Sequence, residues 1–73
     1  MNHTLDARNL NCPLPILRTR KALNELASGD RLTVLATDPA TAKDIDSFCR
    51  QTGNTLVDSK QLGDHHSFVI RKG

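Results

Sequence analysis

The chain has 73 residues, 18 of them Leu, Ile, Val or Phe, which makes one domain spanning 1–73 and excludes two. A chain of this size buries only about 60% of its unfolded surface, so its core is thin and a deep, lidded substrate cavity is excluded. Ten basic against eight acidic residues give a net charge of +2, which permits nucleic-acid contact without demanding it.

In chain order, Thr4-Leu5-Asp6-Ala7-Arg8 alternates and predicts a short first strand, followed by an Asn9-Leu10-Asn11 loop. A helix is expected from about Pro13 to Ser28, stopped by Gly29. At about 100° per residue, Ile16, Leu23, Leu26 and Ala27 share its core-facing arc, with Thr19 and Ala22 near it. Arg31 to Thr37 is nearly continuously apolar, the pattern of a central strand. Asp38 is placed to cap a second helix and Pro39 to open it. Ala42, Ile45, Phe48, Cys49 and Thr52 fall on one face of that helix, and Gly53 ends it. Asn54 to Lys60 and Ser67 to Lys72 read as two further strands around a Gln61-Leu62-Gly63-Asp64 turn. The order β-α-β-α-β-β describes an α/β (α+β) two-layer sandwich. Its four-stranded mixed sheet carries both helices on one face and leaves the other open to water.

Two cysteines, Cys12 and Cys49, are too few for a disulfide scaffold, and the Cys and His spacings form no zinc pattern. The apolar stretches are far shorter than a membrane span, and Met1-Asn2-His3-Thr4-Leu5-Asp6 has no signal-peptide character. The expectation is a reduced, cytoplasmic, monomeric protein with free thiols and no metal, cofactor or membrane contact.

The informative local conflict is Asn11-Cys12-Pro13-Leu14-Pro15-Ile16. Either proline alone is tolerable in a first helical turn, whose N–H groups lack helical partners. Together they strain it, because Pro15 pushes Leu14 away from helical angles. The helix is expected to start at Pro13 or, with a distorted lead-in, at Pro15, so Cys12 stands at or just before its positive end. A thiolate is the reactive form of cysteine, and an exposed helix N-terminus favours an anion by roughly 0.3–1 kcal/mol. The bland alternative is a small apolar residue at a helix cap. Cys49 shares the inward stripe of helix 2 and reads as core filler.

Leu14 and Leu17 fall outside the core stripe of helix 1, beside Arg18 and Lys21. They form either a partner-docking patch near Cys12 or a cover for the helix–strand junction. With Arg20, Arg71 and Lys72 these cations could meet an acidic partner or RNA. A non-catalytic RNA-binding or regulatory module using the basic face of helix 1 is therefore the alternative function, although two Phe and no Tyr or Trp leave little for base stacking. His65 and His66 are adjacent and would point to opposite faces of a strand, which favours a solvated turn over a metal site. Arg71-Lys72 reads as a solubilising end.

The chain resembles the TusA (SirA-like) family of sulfur carriers. The resemblance runs through Leu5-Asp6-Ala7, the Cys12-Pro13-Leu14-Pro15 match to the family's Cys-Pro-x-Pro motif, Ala36-Thr37-Asp38-Pro39-Ala40-Thr41, Lys43-Asp44-Ile45, Phe48-Cys49 and Ile70-Arg71-Lys72-Gly73. It implies a sandwich like the C-terminal domain of translation initiation factor three. It also implies that Cys12 accepts sulfane sulfur as a persulfide, with Pro13, Leu14 and Pro15 as positioning residues. The implied donor is a cysteine desulfurase or a rhodanese-type enzyme, and the implied acceptor is another protein, with no direct nucleic-acid contact. The pathways implied are tRNA 2-thiouridine formation, molybdenum-cofactor supply or sulfur oxidation. Leu14 at the variable motif position, where the tRNA-thiolation member carries an acidic residue, leaves partner and pathway open.

Overall fold

The fold is framed by two parallel strands, β1 (Asn2–Ala7) and β2 (Arg31–Ala36), which pair from Asn2 opposite Arg31 to Ala7 opposite Ala36. This is a computed structural model, and it describes residues 2–11 and 13–73. On the other side of β2 lies β4 (His65–Arg71), antiparallel to it, and β3 (Thr55–Leu62) pairs antiparallel with β4. The sheet order is therefore β1-β2-β4-β3, and β2 is central as its apolar run requires. Helix α1 (Leu14–Asn24) joins β1 to β2, and α2 (Thr41–Thr52) joins β2 to β3.

Side chains alternate across the sheet. The register places Ala7, Leu32, Val34, Ala36, Phe68 and Ile70 on one face, where all are buried. Leu23 of α1 and Ile45, Phe48 and Cys49 of α2 close the core over them. The opposite face carries partly exposed Thr33, Leu35, Ser67 and Val69, so one sheet face is left without a helix. This is the expected two-layer β-α-β-α-β-β sandwich with a mixed sheet.

Several boundaries differ from those expected. Helix α1 ends at Asn24, not near Ser28, and Ala27 is exposed instead of facing the core. The cause is long-range. The ammonium of Lys72 donates to the carbonyls of Leu23 and Leu26, each at 2.7 Å, and takes up the acceptors that a longer helix would have used. Gly29, with φ 91°, then donates its N–H to the Lys72 carbonyl at 2.8 Å. Lys72 is thus a helix cap and not a solubilising end.

Helix α2 begins two residues after Pro39. The Asp38 carboxylate accepts the Ala40 N–H at 2.9 Å and its carbonyl accepts the Thr41 N–H at 3.0 Å, forming a turn before the helix. Gly53 ends α2 with φ 75°, as expected of a left-handed cap. The β3–β4 turn is tighter than expected. Leu62 already pairs with His65, so only Gly63 and Asp64 lie between the strands, and Gly63 takes the positive φ of 62°. Further along β3 a bulge shifts the register between Leu56 and Asp58.

Because Lys72 is a cation on two carbonyls at the negative end of α1, Lys72→Met should lower stability by about 1–2 kcal/mol in chemical denaturation. Met keeps the aliphatic stem, so an unchanged midpoint would show that the ammonium contributes nothing.

Candidate functional site

Cys12, the residue on which the sequence reading centres, lies outside the described residues. Its surroundings are set by both flanks. On the N-terminal side, β1 stops in a turn at Arg8-Asn9, where Asn9 has φ 66°. Asn tolerates this left-handed conformation better than most residues. The Asn9 N–H donates to Thr37 Oγ1 at 2.9 Å, which ties the loop before α1 to the loop before α2. Leu10 packs against the core and anchors the same loop from below.

On the C-terminal side, α1 starts at Leu14, between the two expected positions. Pro13 is its N-cap with φ −97° and ψ 15°, and Pro15 is its second helical residue. Both missing N–H groups thus fall where a helix has no acceptor to offer them. The Leu14 N–H donates to the Asn11 carbonyl at 2.9 Å, and the Leu17 N–H reaches the Pro13 carbonyl at 3.2 Å. Pro15 is buried. Its carbonyl accepts the hydroxyl of buried Thr19 at 2.8 Å, which ties down the first turn. No acidic residue stands in that first turn, so the positive end of α1 is not neutralised by its own side chains.

Leu14 and Leu17 are 43% and 51% exposed, and with exposed Arg18 and Lys21 they line one outward stripe of α1. The four positions recur at i, i+3, i+4 and i+7, opposite buried Thr19 and Leu23. Together they form one exposed ridge along the helix. On the α2 side, a groove of about 250 Å³ runs between the helices, lined by Pro13, Ile16, Arg20, Asp44, Phe48 and Gln51 among others. The Arg20 guanidinium lies 5.8 Å from the centre of the Phe48 ring, within cation–π range. Sequence reasoning grouped Arg20 with the other cations and missed this stacking.

The remaining candidates separate clearly. Cys49 is free and 3% exposed, and burial, reinforced by Asp46, pushes its thiol pKa up. It is the core filler expected. His65 and His66 occupy β4 and not a solvated turn, and each has its own partner. His65 Nδ1 is 2.9 Å from Asp64 Oδ1, while His66 stacks on Phe68 and its Nε2 is 2.8 Å from Ser59 Oγ. Among the described residues no group of three or more His, Cys, Asp or Glu could hold a metal ion. Nor is any described helix long and apolar enough to cross a membrane.

Comparison with known proteins adds the following. The family model described as Sulfurtransferase TusA matches residues 3–72. A curated relative from Allochromatium vinosum, the sulfur carrier protein TusA, is 56% identical over 68 residues, 93% of this chain and 90% of its own. A putative sulfur carrier protein from Neisseria meningitidis serogroup A is 47% identical over 70 residues, covering 96% of this chain and 95% of its own. Among solved structures, the SirA-like protein of Desulfitobacterium hafniense superimposes with a TM-score of 0.86 at 26% identity, over 97% of both chains.

The loop before α1 leaves β1 through a clamp. Arg8 donates from its backbone N–H (3.1 Å) and from Nε (2.9 Å) to Asp6 Oδ1, and from a terminal nitrogen to Oδ2 (3.0 Å). The Arg8 side chain, then its backbone N–H, hold the Asp6 carboxyl down at about 2. A depressed carboxyl stabilises the fold above its unfolded value and loses that contribution as pH falls through about 2. In Arg8→Ala, the Asp6 carboxyl followed by NMR should titrate above 2 and toward the ordinary 3.8, held partly down by the backbone N–H that alanine keeps. A midpoint still near 2 would remove Arg8 as the cause.

Proposed function

The chain belongs to the TusA family, and on that premise we propose that it relays sulfane sulfur as a persulfide on Cys12. The observation that carries the assignment to Cys12 is the state of the other thiol. Cys49 is sealed in the core with its pKa raised, which disfavours the thiolate that any transfer needs. Cys12 is the remaining cysteine, and it directly precedes a helix whose first turn carries no acid.

The chemistry is two successive displacements of the thiol–disulfide type. In loading, the Cys12 thiolate attacks the outer sulfur of a donor persulfide. A new S–S bond forms at Cys12, the donor's S–S bond breaks, and the donor cysteine leaves as a thiolate. In delivery, an acceptor thiolate attacks the outer sulfur now on Cys12, which leaves as a thiolate. There is no net oxidation or reduction, and neither step calls for a metal, cofactor or lid. The donor is a cysteine desulfurase or a rhodanese-type enzyme, and the acceptor is a second sulfur-handling protein. Relay through a free thiolate suits the reducing cytoplasm.

A carrier must enter two active sites in turn, so its reacting residue has to lead the surface. Pro13 and Pro15 stiffen the approach on one side, and the Asn9–Thr37 bond ties down the other. The ridge of Leu14, Leu17, Arg18 and Lys21 supplies apolar contact flanked by positive charge, which suits an acidic, apolar partner surface.

Incubation with a cysteine desulfurase and cysteine should add one sulfur to the intact mass. The addition should vanish in Cys12→Ser and persist in Cys49→Ser; loading that survives in Cys12→Ser would refute the assignment. Leu14→Glu or Arg18→Glu should slow sulfur handover at least severalfold while leaving circular dichroism and melting unchanged. Wild-type transfer kinetics in both variants would dissociate the ridge from docking.

A further inference from the structure

Both helices cover one face of the sheet, and the charges on the other face stand in an order. Counting from the end where β2 begins, the register of β2, β4 and β3 sets four rows on that face. Arg31, Arg71 and Thr55 share the first row, Thr33, Val69 and Asp58 the second, and Leu35, Ser67 and Lys60 the third. The fourth, His65 and Leu62, borders the Gly63-Asp64 turn. Along the strands the sign of charge therefore alternates, from the two arginines through Asp58 and Lys60 to Asp64. The first row is costly by itself. Arg31 and Arg71 are directly opposite, like charges so placed repel, and neither forms an ion pair among the described residues. At the other end Asp64 is 94% exposed, while Asp6 and Arg8 beside it neutralise each other.

A pattern of alternating sign with an even number of steps is its own complement when reversed. A two-fold axis between two such faces, running across the strands, keeps β2, β4 and β3 over their own copies and reverses their direction. The first row then meets the fourth, and the second meets the third. Arg71 comes over Asp64 of the second copy. The Asp58–Lys60 ion pair, 3.4 Å within one chain, meets its own reversed copy and closes a ring of four charges. A two-fold axis along the strands would instead set arginines on arginines. Sheets packed face to face keep their strands within about 30° of alignment, so the rows nearest the axis keep these partners. Partly buried Leu35 and Val69, with Leu62 45% exposed at the margin, supply apolar contact between the charged positions.

We propose that the chain forms a two-fold dimer through its open sheet face, strands reversed, and not the monomer expected. The occupant is a second copy because the complement of the charge pattern is the pattern itself. The dimer is weak and transient, since the face offers a few apolar side chains among charges and not the broad apolar core of an obligate interface. Both helices of each copy, with the ridge of Leu14 and Leu17, remain facing outward. The inference stands whether or not Cys12 carries sulfur.

Sedimentation equilibrium of the full chain from micromolar to millimolar concentration tests this. The mass should rise from one copy to two, and less so at high salt. Arg71→Glu sets acid over acid at the end contact, and Asp64→Arg sets base over base, so each variant alone should dissociate at least about tenfold more readily than wild type. Mixed in equal amounts, the two should pair with each other, the introduced carboxylate of one against the introduced guanidinium of the other. Circular dichroism and melting should match wild type in both, and Arg31→Glu serves in place of Arg71→Glu if that variant misfolds. A chain that stays monomeric at every concentration would overturn the inference and leave the face to a different protein. A dimer that neither variant weakens would overturn it as well, as would two variants that fail to pair when mixed.

Discussion

Parallel pairing of β1 with β2 is the constraint from which the arrangement follows. Parallel neighbours leave the sheet at the same end, and each then needs a crossover that returns over a face. With both crossovers on one face, both helices begin at that end. The chain reinforces this placement with the Asn9–Thr37 bond between the two lead-in loops. Two positive helix ends therefore stand at the same end of the fold; α2 carries Asp44 in its first turn, while the first turn of α1 carries no acid. A helix pair in an antiparallel hairpin would set a positive end against a negative one and would lose this field.

Much of the fold was legible because its local signals agree. The apolar run of β2, the alternation in β1, Gly53 after α2 and the turn glycine at 63 all point to the elements observed. The outward position of Leu14 and Leu17 followed from helical spacing alone. What could not be read depends on partners distant in the chain. Lys72 ends α1 from 46 residues away, and nothing near Leu26 signals it. The Arg20–Phe48 stacking joins two helices whose relative placement is a property of the packed fold. The Asp38-Pro39 pair misled by two residues because Asp38 closes a turn ahead of the helix instead of capping it. The motif was legible as a local conflict, two prolines at one helix start, which the chain resolves by making Pro13 the N-cap and Pro15 the second helical residue.

The molecule divides labour between its two ends. At the far end, Lys72 and Asp30 interlace the chain end with the loop after α1, through Lys72 N–H to the Asp30 carbonyl at 2.8 Å and Ala27 N–H to the Asp30 carboxylate at 3.1 Å. At the leading end, the side chains of Leu14 and Leu17 stand exposed. Satisfied groups at one end hold a frame, against which an uncovered apolar ridge at the other can be presented rigidly.

The bulge in β3 has a consequence for how the margin of the sheet meets other chains. With the order β1-β2-β4-β3, β3 is a margin of the sheet, and a long flat margin is a template on which a foreign strand can add. The irregularity between Leu56 and Asp58 breaks the ladder there, and exposed Lys60 follows two residues on. A strand of another chain, or of a second copy, thereby meets no long, even row of backbone groups on which fibre-like zippering could run.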